Sequence, residues 1–353
     1  MIHLLLLLWL SGQAPSSEAL AHLQAGVQAD KQHDVDVAIV EFRKASELDP
    51  KSTDAFVSLG QAYLEKRDYG SAVGPLKHAL ELAPDLLPAH RLLGYALLAQ
   101  GYAAEAVPHL ERAQETGALG IAEVETGQLK EAVTHLQAAL EQQPNDPDLL
   151  YYLGRASGLL SKQSIDTLLA AYPDSARAHQ AMAEGYFVLR QMPQAEREYL
   201  AALKLRPDTP ELHLGLGNVY AKSSQWEKAE AEFRAQSKLR PGDAEAAYSL
   251  GSALLQQGKA RAASAELQRA DRLRPEMPET LYSLGKAASL EGDAAAAEKA
   301  WRKLLSIEKD SALAAQTHFA LAGLYRKQGK SAEAERETQE FQRLQNSNPQ
   351  SQQ

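Results

Sequence analysis

The chain has 353 residues, a formal net charge of −9 and no cysteine. The charge gives no basic surface of the kind that binds nucleic acid, and the lack of cysteine excludes disulfides, thiolate metal sites and a cysteine nucleophile. Aromatic residues make up only 6% of the chain, whereas Ala, Leu, Glu, Gln, Lys and Arg dominate, and this composition favours helices.

The N-terminal segment 1–19 differs in composition from the rest of the chain. Residues 4–10, LLLLLWL, are too few for the roughly 20 residues that cross a bilayer, but they fit the core of a secretory signal peptide. Small residues precede possible cleavage sites after Ala14 and Ala19, although only His3 stands where a signal peptide usually carries Lys or Arg. We expect 1–19 to be a signal peptide and the protein to be periplasmic or secreted. The alternative is a cytoplasmic protein that keeps an apolar N-terminal helix.

A short phrase returns at a fixed interval along the chain. It reads ELHLGLGNVY at 211–220, EAAYSLGSAL at 245–254 and ETLYSLGKAA at 279–288. A frame with Leu-Gly at positions 7 and 8 starts at Ala19, Thr53, Leu87, Ala176, Pro210, Ala244 and Pro278, with a last start near Ala315. In these frames position 8 is Gly or Ala, position 20 is Ala, position 24 is bulky and position 32 is often Pro.

The frame predicts two helices in each unit. Positions 4, 7, 8 and 11 form one apolar helix face, and positions 20, 24 and 27 form a second. We expect glycine at position 15 to end the first helix in a left-handed conformation, at Gly101, Gly127, Gly258, Gly292 and Gly329. Proline at position 32 ends the second helix, and small residues at positions 8 and 20 let the two helices approach closely. A hairpin of this size cannot fold alone, so the units are expected to stack.

The pattern resembles the tetratricopeptide repeat (TPR) family, whose signature at the same period is W-x2-L-G-x2-Y, then A-x3-F, then P. Residues 59–63 (LGQAY) and 216–220 (LGNVY) match its first half, and Ala229, Phe233 and Pro241 complete it. The resemblance covers about residues 19–345, with the array itself at 20–345. It implies an all-α fold, a right-handed superhelical solenoid of antiparallel helix pairs. We expect about ten units, two of them shortened.

The period breaks at two places. Leu119-Gly120 follows Leu93-Gly94 well short of one full repeat, which predicts only a stub of first helix in that unit. The next unit starts in step but loses five residues before Met182, which predicts a short second helix around residues 164–172. These breaks indicate either drift that the array tolerates or a hinge between residues 113 and 175.

The sequence offers no catalytic, cofactor or metal site. It has no H-E-x-x-H and no G-x-S-x-G motif. Five histidines share position 4: His22, His90, His179, His213 and His318. Equivalent positions of stacked units lie about 10 Å apart, too far for one metal ion, so we expect these histidines to be partly buried packing residues. We therefore predict that the protein is not an enzyme.

In TPR proteins, positions 2, 5, 9 and 12 of the first helices line a concave groove that contacts a partner. Arg91 and Tyr95 occupy two of these positions. The candidates selected for partner binding are Tyr151, Arg155, Phe187, Asn218, Tyr248, Tyr282, Lys286 and Phe319. The alternative for the aromatic residues is that they only cover the joints between neighbouring units.

The resemblance implies a non-catalytic scaffold or adaptor whose groove holds a peptide or a helix of a partner protein. The alternative is a structural component that associates with itself through the ends of the array. No cofactor, nucleic acid or membrane span in the processed chain is expected. The polar residues 346–353 are expected to be a disordered tail.

Overall fold

The computed structural model describes residues 16–347, and every regular element in that range is an α-helix. Contacts divide the chain into two compact units, with the boundary between Ser164 and Ile165. Unit 1 holds four hairpins and the first part of a long helix: α1 (Ser17–Lys31), α2 (Val35–Leu48), α3 (Thr53–Glu65), α4 (Tyr69–Leu82), α5 (Leu87–Ala99), α6 (Ala103–Ala113), α7 (Thr116–Thr126), α8 (Leu129–Gln142) and α9 (Pro147–Ala171).

Unit 2 holds the end of α9 and five further hairpins. Their helices are α10 (Ala176–Val188), α11 (Met192–Leu205), α12 (Pro210–Lys222), α13 (Trp226–Leu239), α14 (Ala244–Gln256), α15 (Ala260–Leu273), α16 (Pro278–Glu291), α17 (Ala294–Ile307), α18 (Ala312–Lys327) and α19 (Ser331–Ser347). From α1 to α8 in unit 1 and from α10 to α19 in unit 2, helices that are adjacent in sequence pack together, as the repeating frame predicts.

Position 15 adopts the predicted left-handed conformation. The five glycines at this position have φ between 71° and 84°. Four other frames also have a positive φ there, between 57° and 61°, at His33, Arg67, Arg190 and Ser224. The turn between the helices therefore imposes this conformation even where the sequence does not supply glycine.

Glycine at position 8 allows the close approach of the two helices that the sequence predicts. A Cβ atom on Gly251 would lie 2.7 Å from Cγ of Leu267, the position 24 residue of the same hairpin, and one on Gly94 would lie 2.5 Å from Cδ2 of Leu110. These leucines are fully buried, so each hairpin core forms where a large side chain covers a bare helix backbone.

The prediction of a stub at the first break is wrong, because α7 has 11 residues and is nearly as long as the 13-residue first helices. The missing residues are distributed over the junction before it. Helix α6 has only 11 residues, and just Gln114 and Glu115 separate it from α7, whereas four residues separate α4 from α5. Gln114 takes a left-handed conformation with φ of 58°, which makes this short connection possible.

The prediction of a hairpin at the second break is also wrong. One helix, α9, runs for 25 residues without interruption. Position 15 of this frame is Ser161, and residues 159–171 contain neither the glycine that ends the first helix in five other frames nor a proline. The described residues thus form nine hairpins and one unbroken helix instead of ten hairpins.

The two ends of the chain lie largely outside the described residues. Of the predicted signal peptide, residues 1–15 are outside, while Ser17, Glu18 and Ala19 form the start of α1 and Ser16 caps that helix. Of the predicted tail, residues 346 and 347 belong to α19, and 348–353 are outside. None of the helices in residues 16–347 combines the length and apolar character needed to cross a bilayer.

Candidate partner-binding surface

The eight residues predicted to bind a partner are divided between the two units. Tyr151 and Arg155 lie on α9 within unit 1, and the other six lie in unit 2. Tyr151 is 64% exposed, and its ring lies 5.3 Å from that of Tyr152. Arg155 donates a hydrogen bond of 2.7 Å from Nη1 to Oε1 of Glu125, which raises the pKa of the guanidinium.

The aromatic column of unit 2 is only partly available to a partner. Tyr248 and Tyr282 are half-buried and pack against core clusters of their own hairpins and neighbours, and burial raises the pKa of both phenols. Phe319 is 59% exposed, and its ring centroid lies 5.3 Å from that of Phe341 on α19. These rings lie on α14, α16 and α18, of which α14 contacts α16 and α16 contacts α18.

The remaining candidates in unit 2 differ in exposure. Lys286 is exposed on α16, and Asn218 is partly buried on α12. Phe187, near the end of α10, is partly buried and lines a cavity of about 540 Å³ together with Val188, Arg190, Met192 and Lys222.

The position 4 histidines are partly or fully buried, as predicted, but they also form a hydrogen bond that the sequence analysis missed. Four of them place Nδ1 2.5–2.8 Å from Oε2 of the position 23 glutamate of the same frame, in the pairs His22–Glu41, His179–Glu198, His213–Glu232 and His318–Glu337. We call each such pair a histidine rung. The period contained the signal, because position 23 is glutamate in all four frames.

Two of the rungs lower the pKa of their glutamate. The hydrogen bond from His22 lowers the pKa of the Glu41 carboxyl. Burial acts to raise the pKa of Glu198, but hydrogen bonds from His179 and Arg197 outweigh burial and leave that pKa lowered. The fifth position 4 histidine, His90, instead lies with its Nδ1 2.7 Å from Nδ1 of His109 and its Nε2 2.8 Å from the carbonyl oxygen of Pro84.

Two large cavities open on the first helices of unit 1. The α3–α5 cavity, of about 530 Å³, is lined by Gln61, Leu64, Glu65, Arg91, Leu92, Tyr95 and Glu115. The α7 cavity, of about 540 Å³, is lined by Tyr95, Leu98, Gln114, Glu115, Thr116, Gly117, Ala118, Ile121, Ala139, Gln142, Gln143, Asp146, Asp148 and Leu149. Tyr95 and Glu115 border both cavities, so we treat the two as one first-helix face of unit 1.

Tyr95 and Glu115 are held together at the centre of this face. The Tyr95 hydroxyl donates a hydrogen bond of 2.6 Å to Oε2 of Glu115, and Nε of Arg91 lies 3.9 Å from Oε1 of the same carboxylate. Burial and the neighbouring Glu115 raise the pKa of Tyr95 to about 12, so the phenol stays protonated and acts as a hydrogen-bond donor. Sequence alone places Tyr95 at position 9 but gives no reason to single it out.

The side chains of the first-helix face determine what this surface can bind. Residues 16–347 contain no group of three or more His, Asp or Glu side chains placed to hold a metal ion. The groups that line the first-helix face are carboxylates, amides, aliphatic side chains, one guanidinium and one protonated phenol. Such a surface can hold a ligand by shape, charge and hydrogen bonds.

Most of the chain matches sequence profiles of a known repeat family. Sequence profiles described as TPR repeat or tetratricopeptide repeat match residues 18–86, 87–112, 120–158, 186–224, 214–278 and 248–312. The chain belongs to the tetratricopeptide repeat family. Residues 113–119 and 159–185 fall between the matched ranges, and they include the short junction before α7 and the second half of α9. TPR arrays are protein-interaction scaffolds.

Solved structures show similar folds at low sequence identity. MamA from Desulfovibrio magneticus RS-1 is 18% identical, with 49% of this chain and 97% of that chain covered and a TM-score of 0.47. The yeast Tom70 is 14% identical, with 92% of each chain covered and a TM-score of 0.41. Cut9, in the Cut9–Hcn1 complex of APC/C, is 14% identical, with 93% of this chain and 87% of that chain covered and a TM-score of 0.44. Among curated proteins, no sequence matches this TPR chain.

Proposed function

We propose that this TPR chain is a non-catalytic scaffold that holds a peptide or helix of a partner protein on the first helices of its hairpins. The observation that carries the proposal is the first-helix face of unit 1, where two adjoining cavities of about 530 and 540 Å³ share Tyr95 and Glu115. Concave sites that combine fixed polar groups with apolar side chains are typical of ligand binding. Leu64, Leu98 and Ile121 supply apolar side chains here, and most of the α7 cavity is lined by polar groups.

Unit 2 has a supporting role in the proposed partner contact. Lys286 and Phe319 are exposed on its first helices, whereas Tyr248 and Tyr282 are half-buried against neighbouring helices. A partner would therefore contact only the edges of these tyrosines. This favours their role in closing the joints between hairpins over a role as deep anchors for a ligand.

Site-specific photo-crosslinking in the native cells tests the proposal. A benzophenone side chain replaces Gln61 on α3 of unit 1, Lys286 on α16 of unit 2 or, as the control, Glu131 on the second helix α8. All three residues are exposed, so the substitutions do not disturb a core. We expect crosslinks to a partner protein from Gln61 or Lys286 and not from Glu131. Crosslinks only between copies of this chain would support self-association instead and would contradict the groove proposal.

Export is part of the same proposal and has its own test. The two candidate cleavage sites differ in their effect on α1, because the Ser16 hydroxyl accepts a hydrogen bond of 3.0 Å from the backbone N–H of Ala19, and Ala19 is buried. Cleavage after Ala14 keeps this helix cap, whereas cleavage after Ala19 removes it. N-terminal sequencing of protein from periplasmic or secreted fractions distinguishes the sites. Recovery of intact Met1 from the cytosol alone would contradict export.

A further inference from the structure

The first-helix face of unit 1 has a strongly one-sided charge. Four carboxylates line its two cavities, those of Glu65, Glu115, Asp146 and Asp148. Among the residues that line them, Arg91 is the one basic side chain, and it faces Glu115. The lining of the α7 cavity contains no basic residue at all. A cationic group that enters the α7 cavity would thus meet attraction from several sides.

The short junction before α7 places one of these four carboxylates, that of Glu115, on the face. Because only Gln114 and Glu115 separate α6 from α7, Glu115 lies at the start of α7 and reaches Tyr95 on α5. Residues of α5, the first helix of the preceding hairpin, and of α9, which follows the α7–α8 hairpin, line the same cavity. A Cβ atom on Gly117 would lie 3.2 Å from Cδ2 of Leu149, so the bare backbone of α7 lets this residue of α9 approach closely.

The four carboxylates differ in the hydrogen bonds that hold them and in their exposure. Asp146 caps α9 through Oδ1, which accepts hydrogen bonds of 2.9 Å from the backbone N–H groups of Asp148 and Leu149. Glu115 is held by the Tyr95 hydroxyl through Oε2. Asp148 and Glu65 are exposed on their helices. Of the three carboxylates that line the α7 cavity, those of Glu115 and Asp146 are held by hydrogen bonds and that of Asp148 is exposed. Leu98 and Ile121 line the same cavity with apolar side chains.

We propose that the first-helix face of unit 1 binds an extended basic segment of a partner protein, with a Lys or Arg side chain in the α7 cavity and apolar neighbours in the α3–α5 cavity. This inference rests on the proposed scaffold function and specifies its partner. Charge complementarity selects the occupant, since an acidic or nucleic-acid ligand would be repelled by the lining carboxylates. A second copy of the chain is disfavoured in the same way, because each copy carries a net charge of −9.

A positional-scanning library of short peptides, each about ten residues long so that an extended chain can reach across both cavities, tests this with the full chain. We expect the protein to select peptides that carry Lys or Arg next to an apolar residue. The variant Glu115→Gln/Asp148→Asn removes two charges from the α7 cavity with little change in shape. It should bind the selected peptide at least tenfold more weakly by fluorescence anisotropy. Glutamine at 115 keeps an oxygen that can accept the Tyr95 hydrogen bond.

The matched control is Glu131→Gln/Glu141→Gln, which removes two charges from exposed positions of α8. It should leave the affinity unchanged, and the affinity of the wild-type chain should fall with added salt. Circular dichroism and urea unfolding check that both variants are folded.

The outcomes separate this inference from the scaffold proposal. Selection of acidic or neutral peptides, or equal affinity for the wild type and the cavity variant, would overturn the inference while leaving a peptide-binding scaffold in place. Binding of no peptide, or dimers of the chain as the sole complex, would overturn both.

Discussion

A single methyl group at position 8 should decide how well a hairpin packs. A Cβ atom on Gly251 would lie 2.7 Å from Cγ of Leu267 and 3.3 Å from the carbonyl oxygen of Ala263. The backbone atom cannot move aside as a flexible side chain can, so Gly251→Ala overpacks the core. We expect this change to lower the free energy of unfolding by about 1 to 3 kcal/mol, as measured by urea denaturation.

The matched control is Gly154→Ala on α9, where a new Cβ atom would have no neighbouring atom within 4 Å. Alanine favours helix over glycine by about 1 kcal/mol, so this change should stabilise the protein or leave it unaltered. If both substitutions destabilised the protein equally, the close approach of helix backbones at position 8 would not explain the effect.

At the scale of the elements, the histidine rungs should fasten the two helices of a hairpin to each other. Unit 2 offers a natural comparison at position 23. Glu232 accepts a hydrogen bond from His213, whereas Glu266, in the frame with Ala247 at position 4, has no rung histidine and pairs through Oε2 with Nη1 of Arg269 at 3.2 Å. Glu232→Gln should therefore cost about 1 kcal/mol or more of unfolding free energy at neutral pH. Glu266→Gln should lower the unfolding free energy clearly less than Glu232→Gln, because it weakens no hydrogen bond from a rung histidine. Equal losses would show that the rungs do not stabilise the hairpins.

The link between neighbouring hairpins is expected to be sensitive to acid. Glu230 on α13 accepts hydrogen bonds from Lys259 at 2.8 Å and from Gln257 at 2.9 Å, and it pairs with Arg234. The hydrogen bond from Lys259, with those from Arg234 and Gln257, lowers the pKa of Glu230 from 4.5 to about 2. Because the folded-state pKa is the lower one, the stabilisation is present above pH 4.5 and is lost as the pH falls towards 2.

Glu230→Gln should accordingly reduce the unfolding free energy by about 1 to 2 kcal/mol at neutral pH. The difference from the wild type should shrink as the pH falls below 4.5, the ordinary value for a glutamate. Urea unfolding over this pH range measures the difference in unfolding free energy. The control is Glu227→Gln, at an exposed position of the same helix. A difference that stays constant with pH would contradict the assignment to the Glu230 carboxylate.

The sequence predicted the elements where its period is regular and failed where the period breaks. Position 15 and position 8 were sufficient to place the hairpins, because a left-handed turn at position 15 and a small residue, Gly or Ala, at position 8 recur in every regular unit. The continuous α9 was missed, since the period suggests a turn at Ser161 but no glycine or proline enforces one. The cavity around Tyr95 was missed for a different reason. It combines residues from α5, the α6–α7 junction and α9, and their proximity depends on packing over several helices.

At the scale of the whole molecule, the repeat architecture makes stability a local property. In a repeat array each hairpin gains stability from its own core and from its direct neighbours. The contacts of this chain divide into two compact units, with the boundary inside α9. We therefore expect unfolding in two steps, one for each unit, instead of a single cooperative transition.

The tryptophans allow the two steps to be assigned. The chain has three, at positions 9, 226 and 301, of which Trp226 and Trp301 lie in unit 2. In a Trp9→Phe background, fluorescence reports on unit 2 alone, while circular dichroism at helical wavelengths reports on both units. Gly94→Ala, which places a methyl group 2.5 Å from Cδ2 of Leu110, should shift one step in circular dichroism and leave the fluorescence midpoint in place. Gly251→Ala should shift the fluorescence midpoint instead. If each variant shifted both signals together in one transition, α9 would have to couple the two units into one cooperative structure.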